Sequence, residues 1–264
     1  MKLKSAVRFY LDDFKKPVII FYGVLLVLFA LEVILMNLLN ETGSTSGMGS
    51  ATSIFMFVIG LNAFKTQFRL FLQNGLSRKT MFSGFILGIA LLSAAMTLID
   101  LAFGRFQGLF LTYESVYMSR FGSLYTNSSA ALMDELLWTF LSYLTAGLTG
   151  YAITCLYYRM NKGLKLAVSI GIPALVIIVI PLIDGLYTNG VITAFFLNIV
   201  AFALGYGITL DASNGLLEGV ISQFFGLQNG VPLYPYRAIL FSVISITLTG
   251  AFSFLCIRRA TIKD

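Results

Sequence analysis

Residues 17–39 read PVIIFYGVLLVLFALEVILMNLL, a run with a single charge, Glu32. A helix needs about 20 consecutive apolar residues to cross the hydrocarbon core of a bilayer, so this run is long enough to span one. Lys2, Lys4, Arg8, Lys15 and Lys16 precede it, as in a secretory signal. It is too long for a signal's apolar core, and no small-x-small cleavage site follows, so it reads as a retained first span. Lipid offers no partner to open backbone, and a chain built from such runs must therefore fold as helices.

Working outward, five further runs repeat the pattern, over 50–64, 81–103, 135–157, 165–183 and 237–257. The second is short and is expected to extend back through Gly43–Ser50. Of 264 residues, 58% are apolar and 11% charged, against about 25% charged in ordinary soluble domains. No polar stretch is long enough for a second domain, which leaves one membrane domain over 1–264. On the six-span map, 15 of the 18 Lys and Arg fall on one side, and only Arg105, Arg120 and Arg237 on the other. Loops rich in Lys and Arg stay in the cytoplasm. The expected architecture is thus an all-α integral membrane protein of six transmembrane helices, N- and C-terminus cytoplasmic, in the cell membrane. Topology also accounts for the net charge of +6 without nucleic acid as a partner.

Residues 191–208, VITAFFLNIVAFALGYGI, are apolar enough for a seventh span. Counting them as one would place Arg258, Arg259 and Lys263 outside. The next stretch carries Gly215, Gly219, Gly226 and Gly230 with Asp211 and Glu218. Residues 191–230 are therefore read as a re-entrant outer hairpin of two half-depth helices, backbone that membranes tolerate when protein or a wet cavity covers it. In the other outer loop, Phe103, Phe106, Phe110, Tyr113, Tyr117, Phe121 and Tyr125 recur every three or four residues. That period predicts an amphipathic outer helix continuing span three, serving as an aromatic anchor or as a contact surface for greasy molecules.

The inner loop after span two is the most informative segment. Leu61, Phe64, Phe68, Phe71 and Leu72 make one apolar stripe at helical spacing, with Lys65, Arg69, Gln73 and Asn74 on the other face. Asn74-Gly75 is a helix stop, because glycine accepts the left-handed conformation after a helix end. Ser77 has the chemistry of an N-cap for span three. A short amphipathic helix at the inner surface follows, serving either as an anchor on anionic membrane lipid or as a dock for a soluble partner. Residues 1–16, with Leu3, Val7, Tyr10, Leu11 and Phe14 on one face, predict an in-plane helix of the same kind.

Polar residues inside spans are costly and often functional. Glu32 lies in the outer half of span one, where it lines a path or snorkels outward. Asn62 sits near the inner end of span two. Asp100, late in span three, is within reach of Arg105 as a structural ion pair. Span four carries Thr145, Thr149 and Gly150 and span six Ser242 and Ser245, a pattern that serves close helix packing or a polar lining. Pro173 and Pro181 predict a kink in span five. Cys155 and Cys256, each beside basic residues, are expected near the inner face as reduced thiols.

Absences narrow the chemistry. There is no GxxxxGK[ST] phosphate loop, no HExxH and no GxSxG elbow. His does not occur, so a Ser-His-Asp triad cannot form, and no pair of deep acids suggests an intramembrane protease. The expectation is a chain that is not an enzyme, has no catalytic or metal-binding residues and binds no cofactor itself.

The layout resembles the membrane subunit of type-2 ABC exporters, the bacterial drug, antibiotic and peptide exporters whose permease and ATPase are separate chains. The local segment 68–80, FRLFLQNGLSRKT, is similar to one in small Gram-positive permeases of that kind. The resemblance implies a coupling helix over 65–75 that docks into a groove of the ATPase, through Lys65, Gln67, Phe68, Arg69, Phe71, Leu72, Gln73 and Asn74. It further implies a permease homodimer with two ATPase copies, ATP and Mg on those partners, and export of hydrophobic or amphipathic peptides, antibiotics or lipids. Unlike large-domain relatives the chain has no big outer domain, which favours capture from the cytoplasm or inner leaflet. Two other classes remain: a non-transporting immunity, assembly or sensor protein docking a partner through the same helix, and a secondary transporter. The third is weakened by few buried charges and no evident inverted repeat.

Overall fold

The computed structural model describes residues 2–39, 44–46, 48–184, 186, 191–206 and 233–258. The fold is all-α in character, and five helical stretches are long and apolar enough to cross a membrane: Leu3–Leu39, Gly49–Gln73, Arg78–Gln107, Ser128–Arg159 and Pro235–Arg258.

The first compact unit comprises residues 1–159 and 245–264. Helix α1 (Lys2–Leu39) runs 38 residues without a break, about 57 Å at 1.5 Å per residue. The expected in-plane helix over 1–16 and the first span are therefore one element. Pro17 removes one backbone hydrogen bond, but Tyr10 and Phe14 on its N-terminal side are buried in the core, and the apolar run holds the other. The buried face keeps Tyr10 and Phe14 of the expected one and differs in the rest. Ala6, Tyr10 and Phe14 point inward, Leu3 is exposed, and Val7 and Leu11 are half-buried.

Strand β1 (Ser44–Ser46) occupies part of the stretch expected to lengthen span two. Helix α2 (Gly49–Asn62) starts only after it, and a two-residue turn joins α2 to α3 (Lys65–Gln73). Helix α4 (Arg78–Gln107) carries the third span. Ser77 is its N-cap, its hydroxyl accepting from the Thr80 amide at 3.2 Å, as the sequence predicts. After α4 the regular aromatic spacing does not give one outer helix. Strand β2 (Thr112–Glu114) pairs in parallel with β1, followed by α5 (Val116–Phe121) and a short 3-10 turn. The aromatics split accordingly: Phe103, Phe106 and Phe110 surround Phe29, while Tyr117 meets Phe121, Tyr125 and Trp138. Helix α6 (Ser128–Arg159) contains the fourth span.

Glycine sets how closely α2 and α6 approach. A Cβ at Gly60 would collide with the Gly147 carbonyl, and one at Gly150 with the Phe57 carbonyl. Helix α1 packs on α4 by the same means. A Cβ at Gly84 would lie 2.9 Å from Ala6 Cβ, and one at Gly88 3.1 Å from Tyr10 Cβ. Gly84 and Gly88 form a GxxxG pair, the spacing that lets membrane helices touch backbone to backbone.

The second unit is residues 160–244. The segment expected as one kinked span is α7 (Lys162–Ala174), a π turn (Leu175–Val179) and α8 (Ile180–Ile183). The π turn falls between the backbones of Pro173 and Pro181, neither of which can donate to the helical ladder. Helix α9 (Val191–Ala203) has 13 residues, about 20 Å, too short to cross. The remainder of the expected hairpin, 207–232, lies outside the described residues, as does the basic tail 259–264. The chain leaves at Tyr206 and returns at Leu233 in one antiparallel bridge, with the Tyr234 amide donating to the Gly205 carbonyl at 2.7 Å. Helix α10 (Pro235–Arg258) carries the last span.

Candidate functional site

Two places gather the residues singled out above: the short helix α3 and a polar cluster inside the first unit. The end of α3 follows its local chemistry. Gly75 takes φ +65°, the Leu76 amide donates to the Phe71 carbonyl, and the Gly75 amide to that of Leu72. That is a Schellman stop.

The apolar stripe of α3 faces the protein's own interior. Phe64 stacks on Phe68 with ring centres 4.9 Å apart, and both meet Tyr158 edge-on. Phe71 lies against Phe9 and Tyr10 of α1. Gln67 is 3% exposed and donates from Nε2 to Asp13 Oδ2 at 2.8 Å. Of the residues carried over as a docking surface, Gln67, Phe68 and Phe71 are thus buried and Leu72 half-buried. Arg69, Gln73 and Asn74 form the exposed ridge; the Lys65 side chain lies outside what is described. The reason is packing: three phenylalanines at one end of the bundle bury themselves among their neighbours.

Helix α1, which packs against α3, carries both charges near this contact. Asp12 of α1 pairs with Lys15 at 2.5 Å and more loosely with Arg8 at 3.8 Å, and the Lys15 bond holds its carboxyl below the usual range. Arg78 donates to the Arg258 carbonyl at 2.5 Å, capping the C-terminal end of α10 where the helix dipole favours a cation. Burial pushes the Tyr10 hydroxyl upward, so it stays neutral.

The second place is Asp100. No ion pair with Arg105 forms among the described residues. The carboxylate instead accepts from Tyr22 of α1 at 2.7 Å and from Tyr143 of α6. Thr52 of α2, fully buried, lies against both Asp100 and Tyr143. A carboxylate in an apolar bundle draws any hydroxyl within reach, because isolated charge there is expensive. Tyr22, Tyr143 and Thr52 carried no sequence signal; only the crossing of the helices brings them together.

The remaining candidates divide clearly. Gly150 serves the α2–α6 contact. Thr145 and Thr149 donate to backbone carbonyls one turn back, at Leu141 and Thr145. Ser242 donates to Ala238, Ser245 accepts from Thr249, and Asn62 is exposed and donates to Val58. Glu32 is half-buried. Thr154 alone in that series crosses between helices, donating to the Leu61 carbonyl at 2.7 Å. In the second unit Asp184 caps the start of α9 through the Ile192 amide at 2.8 Å. Arg237 donates to the Tyr206 carbonyl and covers the Tyr234 ring. Cys155 and Cys256 are both buried. Among the described residues no cluster of three His, Cys, Asp or Glu could hold a metal ion.

The fold and these sites define a helical membrane protein. Comparison with protein-family models, curated proteins and solved structures found no match.

Proposed function

We propose that the chain is the membrane subunit of a bacterial exporter driven by a separate ABC ATPase. One observation carries this reading. Helix α3 turns an exposed polar ridge, Arg69, Gln73 and Asn74, away from the protein while Phe64, Phe68 and Phe71 root it among α1, α4 and α6. Force applied to the ridge by a soluble partner therefore passes into three long helices at once. The proposed topology is six spans with both termini cytoplasmic, the fifth being the α7–π–α8 segment and the re-entrant hairpin beginning at α9. Two such chains with two ATPases would alternate access for hydrophobic or amphipathic peptides, antibiotics or lipids, with ATP and Mg bound by the partners. Such a cycle requires cargo and nucleotide to bind the inward and outward states with different affinity.

A second reading, an immunity or sensor protein docking a partner through the same ridge, draws on the hydroxyls of α6 and α10. Of those named as a path lining, Thr145, Thr149 and Ser242 bond to their own helices. Affinity purification in the native host separates the two. A stoichiometric soluble ATPase, lost on Arg69→Glu, supports the exporter. Purification with a different protein, or with none, sinks it.

A further inference from the structure

The Asp100 cluster belongs to neither the docking ridge nor the docking proposal, and it is built at the meeting of four helices. We propose that Asp100 is a proton-binding site, with Tyr22, Tyr143 and Thr52 placed to partner its carboxyl both as the anion and as the acid.

As an anion the carboxylate only accepts hydrogen bonds, and its two oxygens take one phenol each, from Tyr22 and Tyr143. As an acid it must donate one. The acceptor is then a phenol oxygen, and that phenol's hydrogen needs somewhere to go. Both phenols have such a place. The Tyr22 hydroxyl lies 3.4 Å from the Met96 carbonyl, a longer second contact beside its short one to Asp100. Tyr143 lies against Thr52, whose buried hydroxyl makes no hydrogen bond of good geometry. Leaving a buried hydroxyl unpaired is costly. In the acid arrangement that hydroxyl accepts from Tyr143. One proton enters, one O–H bond forms on Asp100, and no other bond is made or broken.

The ligand is a proton and not a metal ion, since both carboxylate oxygens are already occupied and no group of three His, Cys, Asp or Glu that could hold a metal ion forms among the described residues. Helix α1 contributes Tyr22, α2 Thr52 and α6 Tyr143 to the groups acting on Asp100. Tyr113 on β2 feels Asp100 together with Arg105 and Glu135. Protonation replaces two charge-assisted bonds by neutral ones about half as strong. Occupancy would therefore set how firmly α1 and α6 hold α4. This inference does not depend on the exporter reading.

Infrared difference spectroscopy of the full-length chain in lipid nanodiscs, titrated with pH, is the test. A protonated-carboxyl C=O band that grows on acidification and is lost in Asp100→Asn is the expected result. In Thr52→Val and Tyr143→Phe the band should change frequency, because the acid has lost its relayed acceptor. A spectrum of Asp100→Asn identical to wild type at every pH the fold withstands overturns the proposal. Should Asp100→Asn fail to fold, an unchanged band in both other variants overturns it equally, and a shifted band in either upholds it.

Discussion

Gln67 of α3 donates to the Asp13 carboxylate of α1 across 2.8 Å, tying the short helix to the N-terminal one. Phe71, one turn further along α3, lies against Phe9 and Tyr10. Helix α3 is consequently a part of the bundle with one face exposed, and the mutational consequences divide by face.

Phe68→Ala should destabilise the chain by about 3–5 kcal/mol, the usual cost of emptying a buried phenylalanine site. Phe68 is only 1% exposed. Arg69→Glu, at an exposed position, should cost far less stability in thermal unfolding of the purified protein and abolish retention of a soluble partner. Equal loss of stability in both variants would place Arg69 in the packing instead.

Replacing Gln67 by Glu sets two carboxylates side by side. The variant loses the bond to Asp13 and adds repulsion, about 1–3 kcal/mol in a partly buried place. The double change with Asp13→Asn restores a donor and an acceptor. Unfolding measured for the single and double variants should show that rescue; two additive losses would mean the bond contributes nothing.

Gly60→Val and Gly150→Val should prevent α2 and α6 from closing, at a cost of ~3 kcal/mol or more, because the new side chain meets backbone that cannot yield. Gly171→Val makes a control, since a Cβ there has nothing within 4 Å. Monodispersity on size-exclusion chromatography reads the difference.

Gly75→Ala meets no neighbour but must hold φ +65°. The left-handed conformation costs an L-residue about 1–2 kcal/mol. A small fall in stability with partner binding intact is expected, and an unchanged melting curve would argue against the Schellman stop.

The proposed topology is checked by labelling single cysteines in a background without Cys155 and Cys256. Arg258→Cys should react only from inside and Asn214→Cys only from outside. Label reaching position 258 from outside would overturn the six-span arrangement.

Where structure depends on neighbours in the chain, the sequence was enough. The runs 81–103, 135–157 and 237–257 lie within α4, α6 and α10, because length and apolarity are local properties. Asn74-Gly75 and Ser77 end α3 and start α4 for the same reason: caps are made by groups three to five residues apart. The aromatic period over 103–125 misled, since pairing of Thr112–Glu114 with Ser44–Ser46 is a long-range choice that no helical spacing reveals.

Tertiary structure decided which side of each helix faces inward. Lipid is about as apolar as a protein core, so hydropathy along α1 does not separate Leu3 and Leu11 from Ala6 and Tyr10. The glycines at 84 and 88 do, by admitting Ala6 and Tyr10 against α4. Asp100 makes the same point for polar groups. From the chain alone its nearest partner is Arg105; in the fold, four crossing helices bring Tyr22, Tyr143 and Thr52 to it from distant positions, and a carboxylate away from water takes the partners that surround it.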